Sequence, residues 1–344
     1  MICDYCIEMR KSIILFFKFV KIAKMNTQEI LFKIIRKRLT KEQSINDLVA
    51  QLLQISYDAA HRRVSGKSKL LMEEAIVLCK YFSISMDLVF DNKKQLVVQK
   101  SDSFQNDINW EEYIKNADFL IKAILQKDAT VYYLSKDIPL FYTSNSGKLS
   151  KFKYYVWSNL LNKHANPVDF EKFMLNFQML EHHSSLLKNY ANAKRIEFWN
   201  QTTIHSVLQQ LHFYFDARLI ETNSVQEILD DLKKILQQIE HQTYHDKNYQ
   251  LHYHEMLILN NQILINNQQK LTFILPYNML SYLVSHDQNT NEECLLFFEN
   301  QQKNSIQLGN SNPKETSKFF KNQYHKIEQF KRTIELSEKM KQPW

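Results

Sequence analysis

The chain has 344 residues and a formal net charge of +7, with 44% hydrophobic and 12% aromatic residues but only three glycines. The common nucleotide-binding motifs need clustered glycines, because the backbone must approach a phosphate closely, and three scattered glycines exclude those enzyme classes. The apolar content excludes wholesale disorder, and the length predicts two or more hydrophobic cores.

The positive charge is concentrated at one end of the chain. Residues 1–24 carry a net charge of +3 and residues 25–100 a net charge of +5, whereas residues 101–344 carry −1. This asymmetry favours a small head that binds a polyanion and a separate, neutral body. The alternative is an ordinary surface excess of lysine without a function.

The first residues contain a cysteine pair, Cys3 and Cys6, and an apolar run over residues 12–20. The run is too short to span a bilayer, and the pair lacks the second pair that a structural zinc site needs. We expect translation to start at Met25, which makes residues 1–24 a non-native extension; a weak membrane contact is the alternative. Cysteine use without a disulfide framework fits a cytoplasmic protein, and no membrane partner is expected.

Residues 25–91 predict a head of five short helices joined by tight connections. Ser44 and Ser56 are placed to cap the second and third helices, and Gly66 follows the third where a left-handed residue is favoured. Leu71, with Ala75, Leu78 and Phe82, is predicted to form the inner face of the fourth helix. The predicted helices are a first with apolar residues from Ile30 to Leu39, then 45–53, 57–64, about 71–82, and 86–90.

The third helix, Tyr57–Val64, has an apolar and a polar side. Ala60 and Val64 are four residues apart and are expected to face the core. A rotation of about 100° per residue then places other side chains outward; these are Asp58, Arg62 and Ser65, flanked by His61. Arg63 lies nearer the core edge, where its long stem is expected to extend toward a phosphate.

The run from Ile55 to Gly66, followed by Leu70 and Glu74, resembles the Cro/lambda-repressor-like (XRE-type) helix-turn-helix family over residues 26–91. Two residues depart from the family pattern: Gln54 stands where Gly is usual, and Arg63 stands where an apolar residue is common. The resemblance implies that the third helix enters the major groove of double-stranded DNA.

We expect Arg62 to pair with guanine O6 and N7, and Asp58 to accept from cytosine or to buttress Arg62. Tyr57 and His61 are expected to contact bases or phosphates. Lys67 and Lys69 are expected to reach phosphates and set the register. The full set of predicted DNA-binding residues is Ser56, Tyr57, Asp58, His61, Arg62, Arg63, Ser65, Lys67 and Lys69. The alternative is a solvated helix face on a domain used for protein contacts.

Residues 92–109 are polar and predict a linker, and residues 110–340 predict a larger domain. We expect residues 110–245 to be helical and residues 246–340 to contain an antiparallel sheet. Within the larger domain, the expected extended segments are 129–142, 249–254 and a hairpin over 256–265 turning at Asn260-Asn261. Residues 271–275 and 293–298 are expected to be further strands or short helices. The predicted fold class is therefore α+β, mostly α, with a five-helix head and a sheet near the C-terminus.

Three segments of the larger domain, Lys136–Tyr142, Phe152–Trp157 and Glu197–Trp199, resemble a group of uncharacterised bacterial regulators with this head. That resemblance implies a body that dimerises or senses a ligand.

Histidine pairs at His241 and His245 and at His252 and His254 raise the possibility of a zinc site. No cysteine lies near them in the sequence and no HExxH motif is present, so we expect no metal, no cofactor and no catalytic residues.

These patterns together predict a cytoplasmic bacterial transcriptional regulator that binds double-stranded DNA as a homodimer. Its body is the region in which a small-molecule or peptide effector is expected. The alternatives are a metal-dependent enzyme, or a protein-interaction scaffold, with a regulatory helix-turn-helix head.

Overall fold

The computed structural model divides the chain into two units, Met1–Val97 (unit 1) and Val98–Trp344 (unit 2). The expected extension over residues 1–24 lies outside the described residues. The residues that the structure describes are 27–39, 43–82, 84, 86, 96, 98–101, 109–125, 128–143, 147–161, 168–175, 179–256, 258–277 and 281–341.

The described part of unit 1 contains four helices: α1 (Thr27–Arg38), α2 (Ile45–Leu53), α3 (Tyr57–Val64) and α4 (Met72–Tyr81). The predicted caps are confirmed, because the hydroxyls of Ser44 and Ser56 accept backbone N–H groups at the starts of α2 and α3. Each cap satisfies a donor that the helix leaves unpaired and stabilises it by about 1 kcal/mol. Apart from Met86, the predicted fifth helix over residues 86–90 lies outside the described residues.

The core of unit 1 forms where the four helices meet. Ile35 on α1, Val49 on α2, Ala60 on α3 and Leu78 on α4 are completely inaccessible to solvent. Leu71, predicted to face this core, is 59% exposed. The reason is that Leu71 has an extended backbone at the N-cap of α4 and therefore lies outside the apolar stripe of the helix.

Unit 2 contains seven α-helices and eight strands in its described part, together with a 3-10 turn at Leu140–Thr143. In chain order the strands and helices are β1 (Val98–Lys100), α5 (Trp110–Ile124), β2 (Thr130–Leu134), α6 (Lys148–Leu161), α7 (Met179–Asn192), β3 (Lys194–Trp199), α8 (His205–Asp216), α9 (Thr222–His245), β4 (Tyr249–Tyr253), β5 (Gln262–Asn266), β6 (Leu271–Pro276), β7 (Tyr282–Ser285), α10 (Gln288–Lys303), β8 (Ile306–Gln307) and α11 (Pro313–Lys341).

The eight strands form one mixed sheet in the order β1-β7-β6-β5-β2-β3-β4-β8. The central strands β2, β3 and β4 are parallel, with Val131 opposite Arg195 and Arg195 opposite Tyr249. All other pairs are antiparallel. Parallel neighbours need long connections, and α6 with α7, and α8 with α9, provide them.

The coarse prediction of a mixed and mostly helical fold is confirmed, but the sheet predicted to be antiparallel and near the C-terminus is a mixed sheet that also includes strands from before residue 246. Strand β2 lies in the segment 129–142 that was predicted to be extended, whereas β3 comes from a part of residues 110–245 with no predicted strand, and β1 comes from the predicted linker, residues 92–109. The sequence pattern of β3 does not reveal a strand, because three of its six residues are charged and its parallel partners are remote in sequence.

Two further segments compare differently with their predictions. Residues 293–298, predicted to be a strand or a short helix, belong to α10 and are helical. The predicted hairpin over residues 256–265 does not form, because β5 instead turns into β6 at residues 267–270. The Asn267 side chain accepts the N–H of Lys270 and Gln268 has a φ of 68°, which together stabilise that turn.

The two faces of the sheet are covered differently. One face packs on α10, where Phe198, Leu264 and Phe298 are completely buried. The other face packs against α5, α6, α7, α8, α9 and α11 in a much larger core. Within the described residues, no helix combines the length and apolar character needed to cross a bilayer.

The large core contains a buried carboxylate, Glu197 on β3. Its oxygens accept from the hydroxyls of Tyr142 (2.6 Å), Tyr190 (2.5 Å) and Tyr249 (3.1 Å) and from the indole of Trp199 (2.9 Å). Burial raises the pKa of Glu197 above its ordinary value, against the effect of these donors. Both oxygens of the Glu197 carboxylate are thus occupied by hydrogen bonds from the surrounding aromatic residues, and we interpret this cluster as structural.

Candidate nucleic-acid interface

A three-residue connection joins α2 to α3 and fixes their relative orientation. Gln54 adopts a left-handed conformation (φ 52°, ψ 43°), the conformation that glycine usually supplies. The N–H of Ile55 donates to the carbonyl of Ala50 at 3.0 Å and that of Gln54 to Gln51 at 3.3 Å. These are the two bonds of a Schellman motif, so Gln54 takes the role of the usual glycine in this turn.

The inner and outer faces of α3 are as predicted. Ala60 is fully buried, and Val64 is partly buried against the same core. The predicted outward residues Asp58, Arg62 and Ser65 are exposed, as are His61 and, at 51% of its surface, Tyr57. The face opposite the core therefore presents donors, acceptors and an aromatic ring to solvent.

Arg62 is the outward cation of this face. Among the described residues, no side chain or carbonyl accepts from its guanidinium, and Asp58 forms no ion pair with it. The guanidinium therefore keeps its planar set of donors, which matches the two acceptors of a guanine edge. The alternative expectation that Asp58 buttresses Arg62 is not seen.

The Arg63 side chain was predicted to extend toward a phosphate, but it points to Glu74 instead. Its Nε and Nη2 atoms lie 2.8 Å from the two carboxylate oxygens of Glu74, and only 19% and 14% of the two side chains are exposed. The hydrogen bond raises the pKa of Arg63 and lowers that of Glu74. Because its guanidinium is held in this bidentate pair, Arg63 connects α3 to α4 and is a positioning residue rather than a phosphate contact.

The segment after α3 folds back on the end of that helix. Gly66 has a φ of 75°, as predicted for a left-handed residue. The N–H of Ser68 donates to the carbonyl of Arg62 at 3.0 Å. Lys67 and Lys69 are exposed on either side of Ser68, so this turn places two cations next to the C-terminal end of α3.

Gln28 on α1 holds this segment in place, which sequence reasoning missed. Its amide nitrogen donates to the carbonyls of Arg63 (2.7 Å) and Ser68 (2.8 Å), and its oxygen accepts the N–H of Leu70 at 2.9 Å. The three bonds span 35 to 42 residues of sequence. No local pattern indicates such contacts, and the sequence holds no signal for them.

Asn46 on α2 is a second residue that the sequence did not identify. Its amide nitrogen donates to the hydroxyl of Tyr57 at 3.2 Å and lies 3.4 Å from Nδ1 of His61. Its side-chain oxygen is buried without a hydrogen-bond partner in the described structure. Asn46 therefore orients the two ring residues of α3, although in the sequence it reads only as part of a helix start.

Comparison of the chain with family models, curated proteins and solved structures gave no match.

The histidine pairs do not form a metal site in the described residues. The rings of His241 and His245 lie 4.5 Å apart, whereas His252 is buried beside Ser305. No group of three or more His, Cys, Asp or Glu side chains in the described ranges is placed to hold a metal ion.

Proposed function

We propose that the protein is a sequence-specific DNA-binding transcriptional regulator and that α3 of unit 1 lies in the major groove of double-stranded DNA. The observation that supports this most is the orientation of α3: Ala60 faces the core, while Arg62 is exposed and its guanidinium has no acceptor among the described residues. An α-helix fits the major groove, where base edges present distinct donor and acceptor patterns.

Within this proposal, Arg62 donates two hydrogen bonds to guanine O6 and N7. Asp58 accepts from a cytosine amine one turn earlier on the same face. Tyr57 and His61, which Asn46 orients, contact a base edge, a thymine methyl group or a phosphate.

The contacts to the DNA backbone come from the ends of α3. The exposed Lys67 and Lys69 neutralise phosphates and fix the register of the helix on the duplex. Ser56 and Ser65 are exposed at the first and last turns of α3, where their hydroxyls reach the sugar-phosphate backbone.

The proposed regulator is a cytoplasmic homodimer that reads two half-sites about 10 bp apart, because one such helix covers only a short site. Exposed apolar residues on α4 support a contact with a second copy: Met72 (63% exposed), Ile76 (41%), Val77 (42%) and Tyr81 (56%). Sedimentation equilibrium tests this part, and a monomer at the concentrations that bind DNA contradicts it.

Selection of bound duplexes from a random pool, followed by salt titration of the selected sequence with the full chain, tests the proposal. Each neutralised phosphate releases counterions, so we expect affinity to fall linearly with salt on logarithmic axes. Enrichment of one motif together with this dependence supports the proposal. Failure to enrich any sequence, or binding that salt does not weaken, contradicts it and favours a protein-interaction scaffold.

A further inference from the structure

Unit 2 contains a cavity of about 190 Å³ beyond the C-terminal end of β2. At this edge Leu134 of β2 is opposite Gln262 of β5, and Pro276 of β6 is opposite Tyr282 of β7. The cavity thus lies where the parallel and antiparallel parts of the sheet meet. Ligand sites in mixed and parallel sheets are commonly found beyond the carboxyl ends of parallel strands.

An ion pair forms one wall of the cavity. Nζ of Lys153 lies 2.8 Å from Oδ2 of Asp137 and 3.3 Å from Oε1 of Gln210, and only 3% of the Lys153 side chain is exposed. An ammonium group has three N–H donors, and the structure gives Lys153 two acceptors. Lys153 and Asp137 both line the cavity, and the Asp137 side chain is 26% exposed.

Two amide side chains add donors to the same cavity. Oδ1 of Asn261 accepts the N–H groups of Lys136 (2.8 Å) and Asp137 (3.3 Å), so the NH2 group of Asn261 is the part of the side chain that remains to donate to a ligand. Oε1 of Gln210 accepts from Lys153, which leaves its NH2 group in the same way. Within the described part of the chain, neither NH2 group has an acceptor.

Aromatic residues complete the lining of the cavity: Tyr133, Trp157 and Tyr282. The hydroxyl of Tyr133 interacts with the backbone of Leu140, and that of Tyr282 is hydrogen-bonded to that of Tyr113. Burial raises the pKa of both tyrosines, which keeps them protonated. The ring of Trp157 provides a flat apolar surface beside them.

The charge balance of the cavity distinguishes between classes of ligand. A simple anion attracted by Lys153 is repelled by Asp137, and a simple cation meets the reverse. A molecule with both charges on adjacent groups aligns head to tail with the ion pair and gains at both ends. The volume equals that of roughly six liquid waters, which accommodates a small metabolite.

We propose that this cavity binds a free α-amino acid with a small side chain. The ammonium group of the ligand meets Asp137, and its carboxylate accepts from Lys153, Gln210 and Asn261. The side chain of the ligand packs on Trp157. This site lies within unit 2, and the proposal does not depend on DNA binding.

The first experiment is a thermal-shift and calorimetric screen of the full chain against the twenty amino acids. For the amino acid that binds, we compare its decarboxylated amine and the carboxylic acid that lacks the amino group. We expect saturable binding of the amino acid and affinities about tenfold or more weaker for both analogues, because each loses one charge-assisted contact. If no amino acid binds, or if either analogue binds equally well, the proposal is overturned.

The second experiment uses Asp137→Asn with Asp169→Asn as the matched control. Asp169 forms a comparable pair with Lys172 at 2.6 Å, but on an exposed surface. Asp137→Asn is expected to weaken the amino acid about tenfold or more and to leave or improve binding of the carboxylic acid analogue, whereas Asp169→Asn changes neither. Unchanged amino acid affinity in Asp137→Asn overturns the proposal. If Asp137→Asn does not fold, Gln210→Met is tested instead, and unchanged amino acid affinity in Gln210→Met also overturns the proposal.

Discussion

The guanidinium of Arg63 and the carboxylate of Glu74 form a bidentate ion pair, with two nitrogen–oxygen distances of 2.8 Å. This pair connects α3 to α4 at the end of the candidate recognition helix. The Glu74 carboxylate also accepts the N–H of Leu71, the N-cap residue of α4, at 3.0 Å, which fixes the carboxylate against the start of that helix. The orientation of α3 therefore depends on a residue that does not face the DNA in the proposed complex.

Glu74→Gln is expected to destabilise unit 1 by about 1–2 kcal/mol, because it removes the charge from a mostly buried bidentate pair. The neighbouring and exposed Glu73→Gln is the control. All four tryptophans of the chain lie outside unit 1, so the measurement is hydrogen exchange at the α3 amides. Equal protection in both variants contradicts the assigned role of the pair.

The same pair predicts an acid dependence for unit 1. Because the folded state lowers the pKa of Glu74, the stabilisation is complete above the ordinary glutamate pKa of about 4.3 and is lost as the pH falls through the lowered value. Protection of α3 is expected to fall over this range in the wild type and to fall less in Glu74→Gln. An identical acid profile for both proteins is the contrary result.

Glu197→Ala is expected to destabilise unit 2 by roughly 3–5 kcal/mol, since it leaves buried donors without an acceptor. The affected groups are the hydroxyls of Tyr142, Tyr190 and Tyr249 and the indole of Trp199. Urea unfolding followed by tryptophan fluorescence measures the change, and the exposed Glu227→Ala serves as the control. A loss below about 1 kcal/mol contradicts the structural role of Glu197.

Because His252 is buried, we expect unit 2 to lose stability in weak acid. Burial lowers its pKa to about 4, and its Nε2 atom is buried without a partner in the described structure. Above the ordinary histidine pKa of about 6.5 the ring is neutral in both the folded and the unfolded state. As the pH falls from there toward 4, only the unfolded state binds a proton, so the free energy of unfolding decreases by up to about 3 kcal/mol.

The test of this loss is urea unfolding at several pH values between neutral and weakly acidic. His252→Phe is expected to flatten the dependence, whereas the exposed His325→Phe is expected to retain it. If His252→Phe shows the same loss as the wild type, the acid sensitivity has another origin.

Features encoded by neighbouring residues were predicted well. The caps at Ser44 and Ser56, the buried position of Ala60 and the positive φ of Gly66 all depend on short spacings and on intrinsic backbone preferences. The exposure of Arg62 followed from the same periodicity.

Features that join distant residues were not predicted. Gln28 contacts the end of α3 from 35 or more residues away, and Asn46 reaches Tyr57 and His61 from another helix. Strand β3 contains charged residues whose partners, such as Asp246 for Arg195, become neighbours only in the folded sheet. The mixed sheet is therefore a property of tertiary pairing, which local patterns do not contain.

The most direct test of the proposed function is the affinity of Arg62→Ala for the selected duplex and for duplexes in which each guanine is replaced in turn. Arg332, an exposed arginine on α11, provides the matched Arg332→Ala control. We expect Arg62→Ala to lose about 1–3 kcal/mol of binding free energy and its preference for guanine at one position, while the control keeps both. Wild-type affinity and unchanged base preference in Arg62→Ala would contradict the proposal.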